Sequence, residues 1–189
     1  LILSDSEKGL AILFNTDSYY NSYSSFNYQT GFPAHSYFSN KNTFIVCRIS
    51  AIFYLLSSKS FVVTSLLTSV FSYIGIWKFY RLLNLLYPKR QKAFAYLILY
   101  MPSLLFWGGG IMKDSYVLGC TCWITYNYYQ ILIARNKIMI NVLFFVFNII
   151  VINSTKSYVL ISLLPGMLLW LNSAYLKNIN SGLAKIAIF

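Results

Sequence analysis

The stretch MPSLLFWGGGIMKDS, residues Met101 to Ser115, decides how the chain is read. An apolar run containing a proline ends on Phe106 and Trp107, passes through Gly108, Gly109 and Gly110, and stops at Lys113 and Asp114. A second apolar run begins at Tyr116. Carboxylates are scarce, four in 189 residues. A Lys-Asp pair between two such runs therefore marks a point where the chain leaves an apolar environment and re-enters it.

Working outward from there, apolar segments recur at Phe44 to Leu56, Phe61 to Trp77, Ala93 to Met112, Tyr116 to Ala134, Ile138 to Ile152 and Val159 to about Leu176. Hydrophobic residues make up 58% of the chain and charged residues 10%, a balance that suits lipid rather than water as the solvent. Aromatics at 19% fit broad interfacial belts. The fold class expected is all-α: a polytopic helical membrane protein with about five transmembrane helices, over 61–77, 93–112, 116–134, 138–152 and 159–176. Some of these are short for a hydrocarbon core about 30 Å thick.

The first apolar segment is the exception. It offers only about 20 Å of helix at 1.5 Å per residue, and it contains Arg48. On a helical wheel Cys47, Arg48, Ser50, Ala51, Tyr54, Ser57 and Ser58 gather on one side, with Ile45, Val46, Ile49, Ile52, Phe53, Leu55 and Leu56 opposite. That pattern predicts an amphipathic helix over 44–57 lying in the interface. Residues 1–43, rich in Tyr, Asn and Ser, form an outer polar and aromatic region, and 44–189 form the membrane domain. The chain opens on Leu1 and ends on Phe189 inside an apolar run, so it reads as a piece of a longer protein.

Charge placement sets orientation. The net charge of +11 comes from basic residues in short clusters between apolar runs, a pattern of membrane topology that argues against nucleic acid as a partner. Lys78, Arg81, Lys89, Arg90 and Lys92 follow the first span, Arg135 and Lys137 the third, Lys177 and Lys185 the fifth. Those loops are expected in the cytoplasm. The intervening loops hold Lys113 and Lys156, which places GGGIMKDS and NSTKS outside, together with the N-terminal region and Asp17.

Candidate chemistry gathers at the outer side. Asp114 reads either as the N-cap of a helix starting at Ser115 or as a catalytic or cation-binding carboxylate. In the second case Lys113 and the backbone N–H groups of Gly108, Gly109 and Gly110 would face a phosphate. Arg48 either snorkels from the interfacial helix or pairs with an anionic lipid or pyrophosphate. Asp17 in NTDSYY suits an Asx-turn, and His35, the one histidine, has no partner for a metal or triad. Cys47, Cys120 and Cys122 form no disulfide framework and read as small packing residues.

The order of an outer loop with an Asp, an interfacial helix, a span ending WKFYRLLNLLYPKR, a span ending PSLLFWGGGIMKDS and a return span resembles C-type glycosyltransferases. These are multi-spanning enzymes that use polyprenyl-phosphate-linked sugars. The likeness runs from about Asp17 to Gly166 and is specific in PSLLFW…GIMKD. It implies a bacterial inner-membrane enzyme that transfers a sugar from the polyprenyl-phosphate donor to a cell-envelope glycan or lipid acceptor on the outer face. Asp114 matches the family's second outer-loop acid; Asp17 is the candidate for the first, with Asp5 and Glu7 a competing pair. Asp17 and Asp114 would be catalytic, with Mg or Mn as a possible shared cation, and Lys113, Arg48 and the three glycines would bind phosphate. Two other classes fit the same composition: a polysaccharide polymerase relying on outer basic residues, and a transporter or assembly scaffold with polar groups such as Thr121, Thr125 and Asn127 buried mid-span.

Overall fold

A computed structural model describes residues 6–14, 23–28, 30–35, 38 and 41–176. Asp5, Asp17, Lys177 and Lys185 lie outside the described residues. The described chain is all-helical, as expected, with no strand. Its elements are α1 (Ser6–Phe14), α2 (Lys41–Leu56), α3 (Phe61–Leu86), α4 (Gln91–Phe94), α5 (Pro102–Gly108), α6 (Lys113–Leu132) and α7 (Ile138–Leu176). Two helices, Phe61–Leu86 and Ile138–Ala174, are long and apolar enough to cross a membrane, against the five spans expected.

Each departure has a local cause. The segment 93–112 is not one span: α4 passes into a π-helical turn, Ala95–Leu99, and the helix then stops. Pro102 has no N–H to donate and its ring disfavours helical geometry at the residue before it. Met101 is accordingly extended (φ −69, ψ 119) and Pro102 opens α5. The expected span 116–134 is the helix α6, but it is too polar to qualify by composition because its surroundings are protein. It buries Ser115, Gly119, Cys120, Asn127 and Gln130 between its neighbours.

The segments 138–152 and 159–176 merge into α7, yet the chain reverses inside it. Lys156 has non-helical geometry (φ −143, ψ 76). Trp123 of α6 stacks on Phe144 at 4.9 Å, while Tyr128, five residues on, donates its hydroxyl to the Met167 carbonyl at 2.8 Å. In a straight helix Phe144 and Met167 would stand roughly 35 Å apart. Two antiparallel limbs, about 27 and 30 Å long, therefore meet at Lys156, and Pro165 is accommodated within the second.

The outside is apolar, and polar residues are buried beside an apolar cluster within. Along α3 the buried positions are Thr64, Thr68, Ser72, Gly75, Ile76 and Leu82, one face at helical spacing, while Phe61, Val62, Leu66, Val70 and Ile74 are exposed. Met139, Leu143, Phe147 and Ile150 of α7 are exposed likewise, and Asn148 and Thr155 are buried. Only 28% and 17% of the two apolar windows are buried within the protein, whereas a soluble core helix would be mostly covered. Small residues let the backbones meet: a Cβ on Gly75 would fall 2.0 Å from the Gly119 oxygen, and one on Gly119 would fall 2.8 Å from the Ser72 Cα. Such small-residue contact is how helices associate where lipid removes the hydrophobic drive.

α2 crosses the end of this bundle. Its C-terminal side reaches α3, with Phe53 against Phe71 and Ser57 hydrogen-bonded to Thr64 at 2.7 Å. Ser50 meets the Tyr116 hydroxyl of α6 at 3.0 Å, and Val46 shares a buried cluster with Val151 and Ile152 of α7. The expected two-faced pattern is thereby revised: Ser50 and Ser57 turn inward and are satisfied by hydroxyl partners, and Ile52, Leu55 and Leu56 face outward. Tyr116, fully buried, also meets Thr68 at 3.2 Å, so one hydroxyl ties α2, α3 and α6.

Gly75→Ala should destabilise the fold by about 3 kcal/mol, since the obstructing atoms are backbone and the helices must separate. Gly166→Ala, where a Cβ meets nothing within 4 Å, should instead stabilise by up to about 1 kcal/mol; unfolding of both in micelles measures the difference. In the same assay Tyr116→Phe should cost about 1 kcal/mol through loss of its two hydroxyl contacts.

Candidate functional site

The α5–α6 junction and the Lys156 reversal come together at the end of the bundle crossed by α2. The junction is built by small residues. Gly108 lies against α3, where a Cβ would be 3.2 Å from the Ser72 Oγ, and Gly110 takes φ +123, a conformation open to glycine. The Gly110 N–H donates to Ser69 Oγ at 3.1 Å and the Gly109 N–H to the Phe106 carbonyl at 3.3 Å. Those two donors, expected to face a phosphate, are engaged inside the fold. The Ser115 hydroxyl donates to the Trp107 carbonyl at 2.9 Å, which pins the end of α5 to the start of α6.

Asp114 is not the N-cap. α6 begins at Lys113, Met112 occupies the cap position without a side-chain bond, and Asp114 sits in the first turn, where a negative charge also suits the helix dipole. Its carboxylate accepts a charge-assisted hydrogen bond from the Lys156 ammonium. The pair is half-exposed, with 25% of the Lys156 side chain and 40% of the Asp114 side chain accessible. By sequence Lys156 falls in an outer loop with no expected role, and its place in the loop on the same side as GGGIMKDS is the one signal for the pair.

Beside the pair runs a groove of about 460 Å³ lined by Leu104, Trp107, Asp114, Val117, Leu118 and Thr121. It is apolar apart from the carboxylate and one threonine, and the Thr121 Oγ1 is buried with no hydrogen-bond partner. An amphiphile with an apolar tail and a charged head fits that division. Lys113, Asp114 and Lys156 together leave one net positive charge at the groove's end.

Arg48 stands elsewhere. Its guanidinium lies 5.3 Å from the centre of the Phe44 ring, a cation–π contact. It lines a separate cavity of about 210 Å³ between α1 and α2, with Ile12, Phe26, Cys47 and Tyr54. Glu7 is exposed in α1. Asp17, as the partner acid, falls outside the described residues, as does Asp5. Among the described residues no group of three or more His, Cys, Asp or Glu could hold a metal ion. Among the described residues Asp114 supplies the one carboxylate at this place, and it is paired with the Lys156 ammonium. Cys120 and Cys122 are free thiols, as is Cys47.

Comparison with protein-family models, with curated proteins and with solved structures returned no match.

Proposed function

We propose that the chain is the membrane part of a glycosyltransferase acting on a polyprenyl-phosphate-linked sugar at the outer face of a bacterial inner membrane. On this reading α3, the broken helix formed by α4 and α5, α6 and the two limbs of α7 make five passes. The observation that carries it is the Asp114–Lys156 pair at the mouth of an apolar groove, beside the family-like stretch PSLLFWGGGIMKD. A polyprenyl chain would lie in the groove and its phosphate would reach the cations. Lys156 would then transfer from Asp114 to the donor phosphodiester, whose single negative charge becomes two on the polyprenyl phosphate as the anomeric C–O bond breaks. The released carboxylate would take the proton of an acceptor hydroxyl as its oxygen bonds to the anomeric carbon. The anomeric C–O bond to phosphate breaks, and its electrons leave with the polyprenyl phosphate, stabilised by Lys156 and Lys113. Asp17, outside the described residues, would share the step only from within the same space.

A second reading, a non-catalytic transporter or assembly component, draws on polar groups buried within the bundle. Both amide atoms of Asn127 and the Asn148 Oδ1 are buried with no hydrogen-bond partner, as expected where a polar solute passes or a further helix docks.

Asp114→Asn in the full-length protein should lower sugar transfer by roughly 100-fold or more, with a stability change below about 1 kcal/mol because the pair is half-exposed. Lys156→Gln should raise the donor KM and also lower kcat, because Lys156 holds the bound phosphate and stabilises it as it leaves. Transfer assays with a polyprenyl-phosphate sugar decide this, and full activity of the Asn variant would favour the transport reading.

Topology is checked separately. With Cys47 changed to Ser, a cysteine at Gln91 should react with membrane-impermeant reagents only from the cytoplasmic side and one at Asn153 only from the outside. Labelling of both from one side would reject the orientation.

A further inference from the structure

The opposite end of the bundle gathers positive charge. Lys78, roughly 26 Å along α3 from Phe61, holds its ammonium 4.9 Å from the centre of the Tyr126 ring of α6. Arg81 follows one turn later on the same face. Lys137 closes the α6–α7 turn. Arg81 and Lys137 both stand close enough to repel the charge on Lys78. The two carboxylates among the described residues, Glu7 and Asp114, belong to the other end, so none of the described carboxylates offsets the three cations there.

The turn carrying Lys137 is held in costly geometry. Arg135 and Lys137 have φ +51 and +46, left-handed conformations uncommon for residues with a side chain. The Asn141 side-chain amide secures the turn by donating to the Asn136 carbonyl at 2.8 Å and the Lys137 carbonyl at 3.2 Å. At the same level Tyr73 stacks on Trp77 at 6.2 Å, and Trp77 meets Tyr80 at 5.4 Å, side chains suited to the head-group layer. The distance from Phe61 matches the thickness of a hydrocarbon core, about 30 Å. Like charges brought together by a strained turn, beside an aromatic belt and above an apolar outer face, are placed to receive an anion that resides in the membrane surface.

We propose that Lys78, Arg81 and Lys137 form a binding site for the phosphate of an anionic phospholipid head group. The lipid's acyl chains would run along the exposed apolar face of α3 while its phosphate neutralises the three cations. The site is independent of sugar transfer and lies at the far end of the bundle from Asp114.

The test uses the whole protein reconstituted in phosphatidylcholine bilayers with and without phosphatidylglycerol, with native mass spectrometry counting the phosphatidylglycerol retained on release. The variant Lys78→Gln/Arg81→Gln/Lys137→Gln is compared with Lys89→Gln/Arg90→Gln/Lys92→Gln, which removes the same charge nearby. Retention should fall about fivefold for each cation removed from the cluster, and by less than twofold in the second variant. Lys137→Gln alone, in an exposed turn, should give about fivefold and serves if the triple variant does not fold. Equal losses in both variants would reduce the cluster to diffuse surface charge and overturn the site. Displacement of the lipid by soluble polyglutamate at matched charge would overturn it in favour of an acidic protein partner.

Discussion

The contact on which the rest depends is backbone against backbone at Gly75 and Gly119. With no Cβ on either side, α3 and α6 approach until the Gly119 carbonyl occupies the space a side chain on Gly75 would need. That crossing fixes the register of both helices. It sets Thr68 opposite Tyr116, brings Ser72 against Gly108, and carries Ser69 to the Gly110 N–H. The α5–α6 junction is thus held against α3 by small residues, and Asp114 follows from it as the first-turn acid of a helix whose start cannot slide.

The same contact explains the distribution of polarity. Helices in lipid gain little by hiding apolar side chains, so close approach and hydrogen bonding between polar groups become the useful interior contacts. Thr64 and Thr68 return their hydroxyl protons to carbonyls four residues earlier at 2.8 and 3.0 Å, which satisfies them without water. The apolar stripes are left on the outside. α6, surrounded by α2, α3, α5 and α7, has no lipid-facing stripe to supply and so carries Asn, Gln and Thr through its length.

This is also why part of the fold was legible in the sequence and part was not. Helix positions follow from apolar run lengths, and the reversal at Lys156 falls inside the polar NSTKS that interrupts two such runs. The Thr, Asn and Gln of α6 mark a helix encased in protein, but its apolar and aromatic residues made it read as a span like the others. The break at Met101 was signalled by Pro102, but a proline within an apolar run is tolerated at Pro165, and the local sequence alone does not distinguish the two outcomes. Ser50 and Ser57 were assigned to a polar surface because a helical wheel counts residue types and not partners. Their partners, Tyr116 and Thr64, are 66 and 7 positions away. At the site, Asp114 and the glycines stood out by type and spacing, while Lys156 required a contact across 42 positions that no motif encodes.

The Asp114–Lys156 pair has a property that a fully buried pair would lack. With both side chains partly accessible, little stability depends on it, so it can open without unfolding anything. A deeply buried pair would lose several kcal/mol on separation because each charge would be stranded. Here the acid rests on a helix start that the Gly75–Gly119 crossing keeps rigid, and the ammonium rests on the one non-helical residue of α7. A fixed carboxylate facing a cation at a chain reversal can exchange partners when an anion arrives, and on the proposed function the apolar groove alongside Asp114 favours an anion carried on a hydrocarbon tail.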